Sequence, residues 1–179
     1  MTLVVHAPNI HLGGGRTLLL ALLSTLRQPA VVQLDERFEP LPDLAPGVRV
    51  IRVAPSLVGR LQAERRLQLL CRSGDVLICF GNLPPLFRSS ARVFVYLQNR
   101  YLTSSRPLGG LPWSARLRIR IERLWLRHRL RNATLLVQTE TMSHEVREHF
   151  RRDAIVLPFL PREIQPSAEQ LPVRYDYLY

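Results

Sequence analysis

Three glycines, Gly13, Gly14 and Gly15, stand between an apolar run that ends at Ala7 and a leucine-rich segment from Thr17 to Leu26. Residues of this type at this place can hold an anion. Glycine reaches φ > 0 and lets the backbone come close to another group. A helix start exposes unpaired N–H groups at the positive end of its dipole, which favours a phosphate. The same glycines also serve a plain tight turn between strand and helix, so both readings stay open on the residues alone.

Other candidate chemistry is weaker. Gly13 to Leu18 supplies two of the three glycines of a dinucleotide-binding fingerprint, with Leu18 where the third belongs and Asp35 near the place of a ribose-binding acid. That fingerprint sits directly at a strand end, whereas Pro8 to Leu12 intervene here. His144-Glu145-Val146-Arg147-Glu148-His149 suggests a zinc helix. Zinc needs histidines four apart on one face; these are five apart and about 140° around a helix. His6, His11 and His128 form no ligand spacing either. No metal site is expected. Asn132-Ala133-Thr134 matches a glycosylation sequon but leads into an apolar run that reads as a buried strand.

The composition closes further doors. The chain has 179 residues, 46% of them hydrophobic, as in a globular protein. Its 25 cationic side chains are all arginine and face 14 acids, for a net charge of +11. Without lysine there is no P-loop lysine, Schiff base or lysine general base. The arginine surplus suits phosphates, nucleic acid or an anionic membrane surface; arginine-leaning codon usage explains the missing lysine equally well. Cys71 and Cys79 are the only cysteines, too few for a disulfide framework, and read as buried free thiols. The N-terminus lacks the basic region of a signal peptide, and Leu18 to Leu26 is too short to span a bilayer. A cytoplasmic protein, able to touch the membrane from that side, is expected.

The elements that must position these residues follow from periodicity. Apolar runs predict strands at Thr2 to Ala7, Ala30 to Asp35, Val48 to Val53, Asp75 to Phe80, Ala91 to Leu97, Thr134 to Gln138 and Ala154 to Leu157. Helical spacing predicts helices at Arg16 to Arg27, from a Ser56 cap to about Arg72, at Trp113 to Arg131, and from a Thr139 or Thr141 cap to about Phe150. Strands alternating with helices predict an α/β, doubly wound, mostly parallel sheet covered on both faces. Ligands of such sheets bind beyond the C-terminal strand ends, where strand order reverses. The glycine loop, Gly81-Asn82 and Gln98-Asn99 each follow a strand and should share that rim.

The Trp113 helix is basic and amphipathic. Leu117, Ile121, Leu124, Trp125 and Leu126 are expected to face inward, and Arg116, Arg120, Arg123, Arg127 and Arg131 to line another face. Such a helix suits an anionic membrane surface or, with a recognisable reading module that is absent here, nucleic acid.

Taken in order, HLGGGRTLLLALLSTL, DVLICFGNLPP, VFVYLQNRYL, ATLLVQTETMSHEV, IVLPFLP and RYDYLY resemble the N-terminal domain of a GT-B-fold glycosyltransferase of the family-four type. The resemblance implies a Rossmann-like acceptor-side domain over residues 1–160. A proline-marked linker would follow over 161–172, and a truncated second domain would begin over 173–179. It implies transfer of a sugar, with retention, from a nucleotide-sugar donor to a glycan or lipid-linked acceptor, with no cofactor beyond that substrate. Gly13, Gly14 and Gly15, with Arg16 adding charge, would reach the donor diphosphate. Asn82, Gln98 and Asn99 would position sugar or acceptor. Many relatives carry a histidine where Gln98-Asn99 stands, and neither of these can act as a general base. The family's C-terminal glutamate pair is not in this chain, so residues 1–179 alone are expected to be inactive without a C-terminal half in cis or as a separate chain. The alternative is a non-catalytic phosphate- or sugar-binding module, or a nucleic-acid-binding one.

Overall fold

A computed structural model of the chain describes residues 1–103 and 107–158. The expected linker and second-domain strand fall outside the described residues. The elements run β1 (Leu3–Ala7), α1 (Gly13–Thr25), β2 (Ala30–Asp35), β3 (Val48–Val53), α2 (Leu57–Leu70), β4 (Val76–Cys79), β5 (Arg92–Leu97), α3 (Arg100–Thr103), α4 (Trp113–Arg129), a 3-10 turn (Leu130–Asn132), β6 (Ala133–Val137), α5 (Glu140–Phe150) and β7 (Ala154–Val156).

The seven strands form one sheet in the order β3-β2-β1-β4-β5-β6-β7, and every pairing is parallel. This is the doubly wound α/β architecture the sequence predicts. The order reverses between β1 and β4. From β1 the chain first winds outward to β2 and β3, then returns past β1 and winds the other way. Right-handed crossovers therefore put the helices of the two halves on opposite faces. Leu19 and Leu23 of α1 pack with Val5, Ala7, Val32 and Leu34 on one face. Leu67 of α2, Ile119 and Leu126 of α4, and Met142 and Val146 of α5 pack with Val4, Leu77, Val95 and Leu135 on the other.

Local chemistry fixes the boundaries. Ser56 caps α2 by accepting from Gly59 N at 3.0 Å, and Thr139, not Thr141, caps α5 by accepting from Met142 N at 3.2 Å. Each cap satisfies a backbone donor that the helix itself cannot. Asp75 ties the two halves together at the foot of the sheet: it accepts from Thr2 N at 2.6 Å and from Arg72 N at 2.9 Å.

Three expectations need correction. The three glycines are not a turn ahead of the helix; they form the first turn of α1, three residues before the expected start at Arg16. The stretch after β5, where the sequence predicts no helix before Trp113, begins with the short helix α3. The third concerns the rotation of α4. Leu126 is buried and Trp125 half-buried as expected, but Leu117, Ile121 and Leu124 are 49%, 55% and 56% exposed, and Ile119 is buried instead. At about 100° per residue, Ile119, Leu126 and Leu130 point one way, and Trp113, Leu117, Ile121 and Leu124 the other. The helix is apolar on two opposite sides, and the sheet takes only one of them.

Several arginines spend their guanidinium groups on loop carbonyls. Arg16 Nη2 donates to Glu39 O at 2.7 Å and Arg52 Nη1 to Phe38 O at 2.7 Å. Arg116 Nε donates to Leu111 O at 2.7 Å and its Nη2 to Gly109 O at 3.0 Å. Arg123 Nε donates to Tyr101 O at 2.8 Å, and Arg129 Nη2 to Leu86 O at 2.5 Å. These bonds fasten connections that contain prolines and glycines to the helices beside them.

Candidate functional site at the strand-order reversal

The exits of β1 and β4 flank the point where strand order reverses, the usual place for a ligand in an open α/β sheet. Three loops meet there. Asn9, after β1, donates through Nδ2 to Gly81 O at 3.4 Å. A Cβ on Gly81 would fall 2.1 Å from Asn9 Oδ1, so this contact requires glycine at position 81. Asn82 adopts φ 69°, a left-handed conformation that asparagine tolerates better than most residues. Its Oδ1 accepts from the backbone N–H of Gln98 at 2.6 Å and of Asn99 at 2.9 Å, pinning the loop after β5 to the loop after β4. Gln98 Nε2 donates to Phe80 O at 3.0 Å, and Gln98 Oε1 lies 3.0 Å from where a Cβ on Gly15 would stand. Asn99 Oδ1 accepts from Tyr101 N at 3.0 Å and opens α3.

The residues singled out in the sequence are thus brought together: Gly15, Asn82, Gln98 and Asn99 share one rim. Their Oδ1 and Nε2 atoms are engaged in holding the three loops in register. Gly13 and Gly14 differ. A Cβ at either position would meet no described heavy atom within 4 Å, and Leu12 at the N-cap gives no side-chain bond to the first turn. The first turn of α1 therefore faces open space with its amide end uncapped by a side chain. No acidic residue lies in that turn to oppose an incoming anion. Arg16 does not reach over this end; it bonds to Glu39 O and stacks over the Phe38 ring, 5.7 Å from its centroid.

Beneath the glycine turn, Asp35 at the end of β2 is fully buried. Arg37 grips it with two bonds, Nε to Oδ1 at 2.8 Å and Nη2 to Oδ2 at 2.7 Å, and its backbone N–H adds a third at 3.0 Å. The Arg37 hydrogen bonds hold the Asp35 carboxyl below the usual carboxylate range against the opposing effect of burial. His11 Nδ1 lies 3.8 Å from Asp35 Oδ2 and, buried, finds no hydrogen-bond partner among the described residues. Asp35 is occupied by Arg37 and is not presented as a ribose-binding acid. His11 went unremarked as a neighbour of Asp35 in the sequence, because a contact between separate loops leaves no spacing signal; Arg37, two residues on from Asp35, was within local reach and was missed.

The remaining candidates lie elsewhere. The cations of α4 belong to a helix on the face of the sheet opposite α1: Arg116 and Arg123 bond to carbonyls, Arg120 is exposed, and Arg127 Nη2 lies 3.2 Å from His149 Nε2. The side chain of Arg131 is outside the described set. His144 Nδ1 lies 3.6 Å from Glu148, so the two histidines of the HEVREH stretch face different partners. Burial and the nearby cations Arg127 and Arg123 push His149 below the usual histidine range. Among the described residues no cluster of three or more metal-ligating side chains occurs, and no helix is long and apolar enough to cross a membrane. A shallow concavity of about 470 Å³ lies at the opposite end of the sheet, by Ala91 and Ala133. No protein family, curated protein or solved structure matches this chain.

Proposed function

We propose that this chain is the acceptor-side half of a nucleotide-sugar-dependent glycosyltransferase, whose glycine turn meets the donor diphosphate when a second domain closes over it. One observation carries the reading: at the strand-order reversal, three loops are locked together by Asn9, Asn82 and Gln98, while the uncapped start of α1 at Gly13 and Gly14 stays open. A rigid rim with one unfilled amide-rich end suits an oxyanion that arrives from outside. Transfer to a hydroxyl of a glycan or lipid-linked acceptor requires that the leaving diphosphate be stabilised, and the α1 dipole supplies part of that field. Gln98 and Asn99 position; with no ionisable group in either side chain they move no proton.

Amide resonances of Gly13 to Arg16 should shift on addition of a nucleoside diphosphate. Absence of any shift in that turn at millimolar ligand overturns the diphosphate reading. Residues 1–179 alone should transfer no sugar from a radiolabelled nucleotide-sugar pool; robust turnover by this chain overturns the two-domain reading. Residence at an anionic membrane is part of the same proposal, supported by the exposed Trp113, Leu117, Ile121 and Leu124 ridge with Arg120 beside it.

A further inference from the structure

The end of the sheet opposite the glycine turn gathers cations. A concavity of about 470 Å³ lies there, between the loop after β4 and the last turn of α4, within the size of small-ligand sites, about 300–1,000 Å³. Arg88, Arg127, His128 and Arg129 line it together with Phe87 and Asn132, and no aspartate or glutamate does. A second cavity, of about 340 Å³ between α2 and α4, has the Glu64 carboxylate in its wall, 3.2 Å from His6 Nε2, and lacks this imbalance.

Acids at the same end of the sheet are engaged elsewhere. Asp75 is buried and accepts from the Thr2 and Arg72 N–H groups. Asp153 accepts from Arg147 Nε at 2.9 Å. The charge of Arg127 is felt by its neighbours: burial first, then Arg127, pushes Arg123 and His149 below their usual ranges.

The end of α4 accounts for part of the cluster. Its C-terminus carries roughly half a negative charge, which Arg127 and His128 in the last turn offset. Arg88 falls outside that account. It stands on the loop after β4, is exposed, and makes no hydrogen bond or ion pair with a described residue. The guanidinium groups of Arg127 and Arg129 are only partly used. Arg127 Nη2 lies against His149, and Arg129 Nη2 donates to Leu86 O, out of five N–H groups on each. Such planar forks match the oxygen edges of a phosphate. None of the exposed large hydrophobic side chains among the described residues lines the concavity. Its mouth therefore offers nothing to a bilayer and suits an anion dissolved in water.

We infer that this concavity binds a soluble phosphate compound carrying two or more negative charges, its oxygens shared by Arg88, Arg127 and Arg129. The site lies at the other end of the strands from the glycine turn and would stand if that turn met no diphosphate.

The probe is pyrophosphate, titrated into residues 1–179 at constant ionic strength and followed by amide and histidine-ring resonances. Saturable shifts should appear at the amides of Arg88, Ser89 and Asn132 and at the His128 ring, and acetate should produce none. Arg88→Gln and Arg127→Gln, both at exposed positions, should each weaken binding about tenfold with an unchanged melting temperature. Arg49→Gln removes the same charge from β3, four strands away from β5 in the sheet, and should leave binding unchanged. Equal weakening by Arg49→Gln would reduce the effect to the general attraction of a chain of net charge +11 and overturn the inference. Shifts confined to Gly13 to Arg16 would overturn it while leaving the glycine turn as a diphosphate site. Equal shifts with acetate, or no saturable shift at Arg88 and His128, would overturn it as well.

Discussion

Gly15 and Gln98 meet where the loop after β5 crosses the start of α1, with Gln98 Oε1 3.0 Å from the place of a Cβ on Gly15. This contact closes one side of the glycine turn and leaves Gly13 and Gly14 as its open edge. The three glycines therefore do different jobs. Gly13 has φ +67°, which a side chain resists. Gly14 has neither a positive φ nor a neighbour within 4 Å. Gly15 is where two elements approach closely.

That division gives the sharpest test of the site. Gly14→Ala should stabilise the fold by about 0.5 kcal/mol, because alanine loses less entropy in a helix. Gly13→Ala should destabilise it by about 1 kcal/mol through left-handed strain. Thermal unfolding reads both. If the open edge receives a diphosphate, Gly14→Ala weakens nucleotide binding even though it raises stability; unchanged binding returns the glycines to a purely structural role.

Asp35 and Arg37 make the fold acid-sensitive. The folded-state pKa of Asp35 lies below its unfolded value of about 3.9. Its contribution is present above that value and is lost as pH falls through the folded pKa. Asp75 acts in the same direction, held down by the Thr2 and Arg72 N–H groups. Asp35→Asn should lower stability at pH 7 by about 1.5–3 kcal/mol, the scale of hydrogen bonds to a charged group. Urea unfolding at pH 7 and pH 3 checks the sign: the gap between variant and parent should shrink at pH 3.

Tyr96 titrates late. Burial raises its pKa to about 12, and its ring stacks on Phe80 with centroids 5.0 Å apart. A folded pKa above the ordinary value of about 10 means that its contribution is complete below that pH and declines as pH rises toward the folded value. Absorbance titration near the tyrosinate band should show a late step that Tyr96→Phe removes.

Cys71 and Cys79 are both buried and unpaired with each other, and burial raises both thiols above the usual range. A thiol reagent at mildly alkaline pH should label neither in the native chain and both after denaturation. Rapid native labelling would contradict the placement of β4 and the end of α2.

The exposed ridge of α4 predicts membrane affinity. In vesicle co-sedimentation the chain should follow vesicles rich in anionic lipid and leave neutral ones in suspension. Ile121→Asp with Leu124→Asp should release it. Equal sedimentation with both vesicle types would separate the ridge from any membrane role.

The sheet was largely legible because a parallel sheet buries both strand faces. DVLICF and ARVFVYL have no solvent side to interrupt them, and the spacing between runs leaves room for crossovers. The shared rim was legible for the same reason: Gly81 and Gln98 lie just past strand ends. The rotation of α4 was not. With apolar residues on two opposite sides, its periodicity supports either face. The side that is buried is the one that carries Ile119, Leu126 and Leu130 into the core, and the bonds of Arg116 and Arg123 to the Leu111, Gly109 and Tyr101 carbonyls are compatible with that rotation. The His6–Glu64 pair was hidden too, since Gln33 and Leu86, which complete it, come from two other places in the chain, with only Ala63 lying beside Glu64.

The arginines fastened to carbonyl oxygens change the meaning of the net charge of +11. Part of that positive charge works as carpentry: Arg16, Arg52, Arg116, Arg123 and Arg129 each hold a connection in place, Arg52 and Arg116 with two arms of the planar guanidinium fork. Lysine would keep the electrostatic total and lose the joinery, because an ammonium cannot bond two acceptors in a fixed plane. A lysine-for-arginine rewrite of this chain would match it in isoelectric character while loosening the loops that frame the rim.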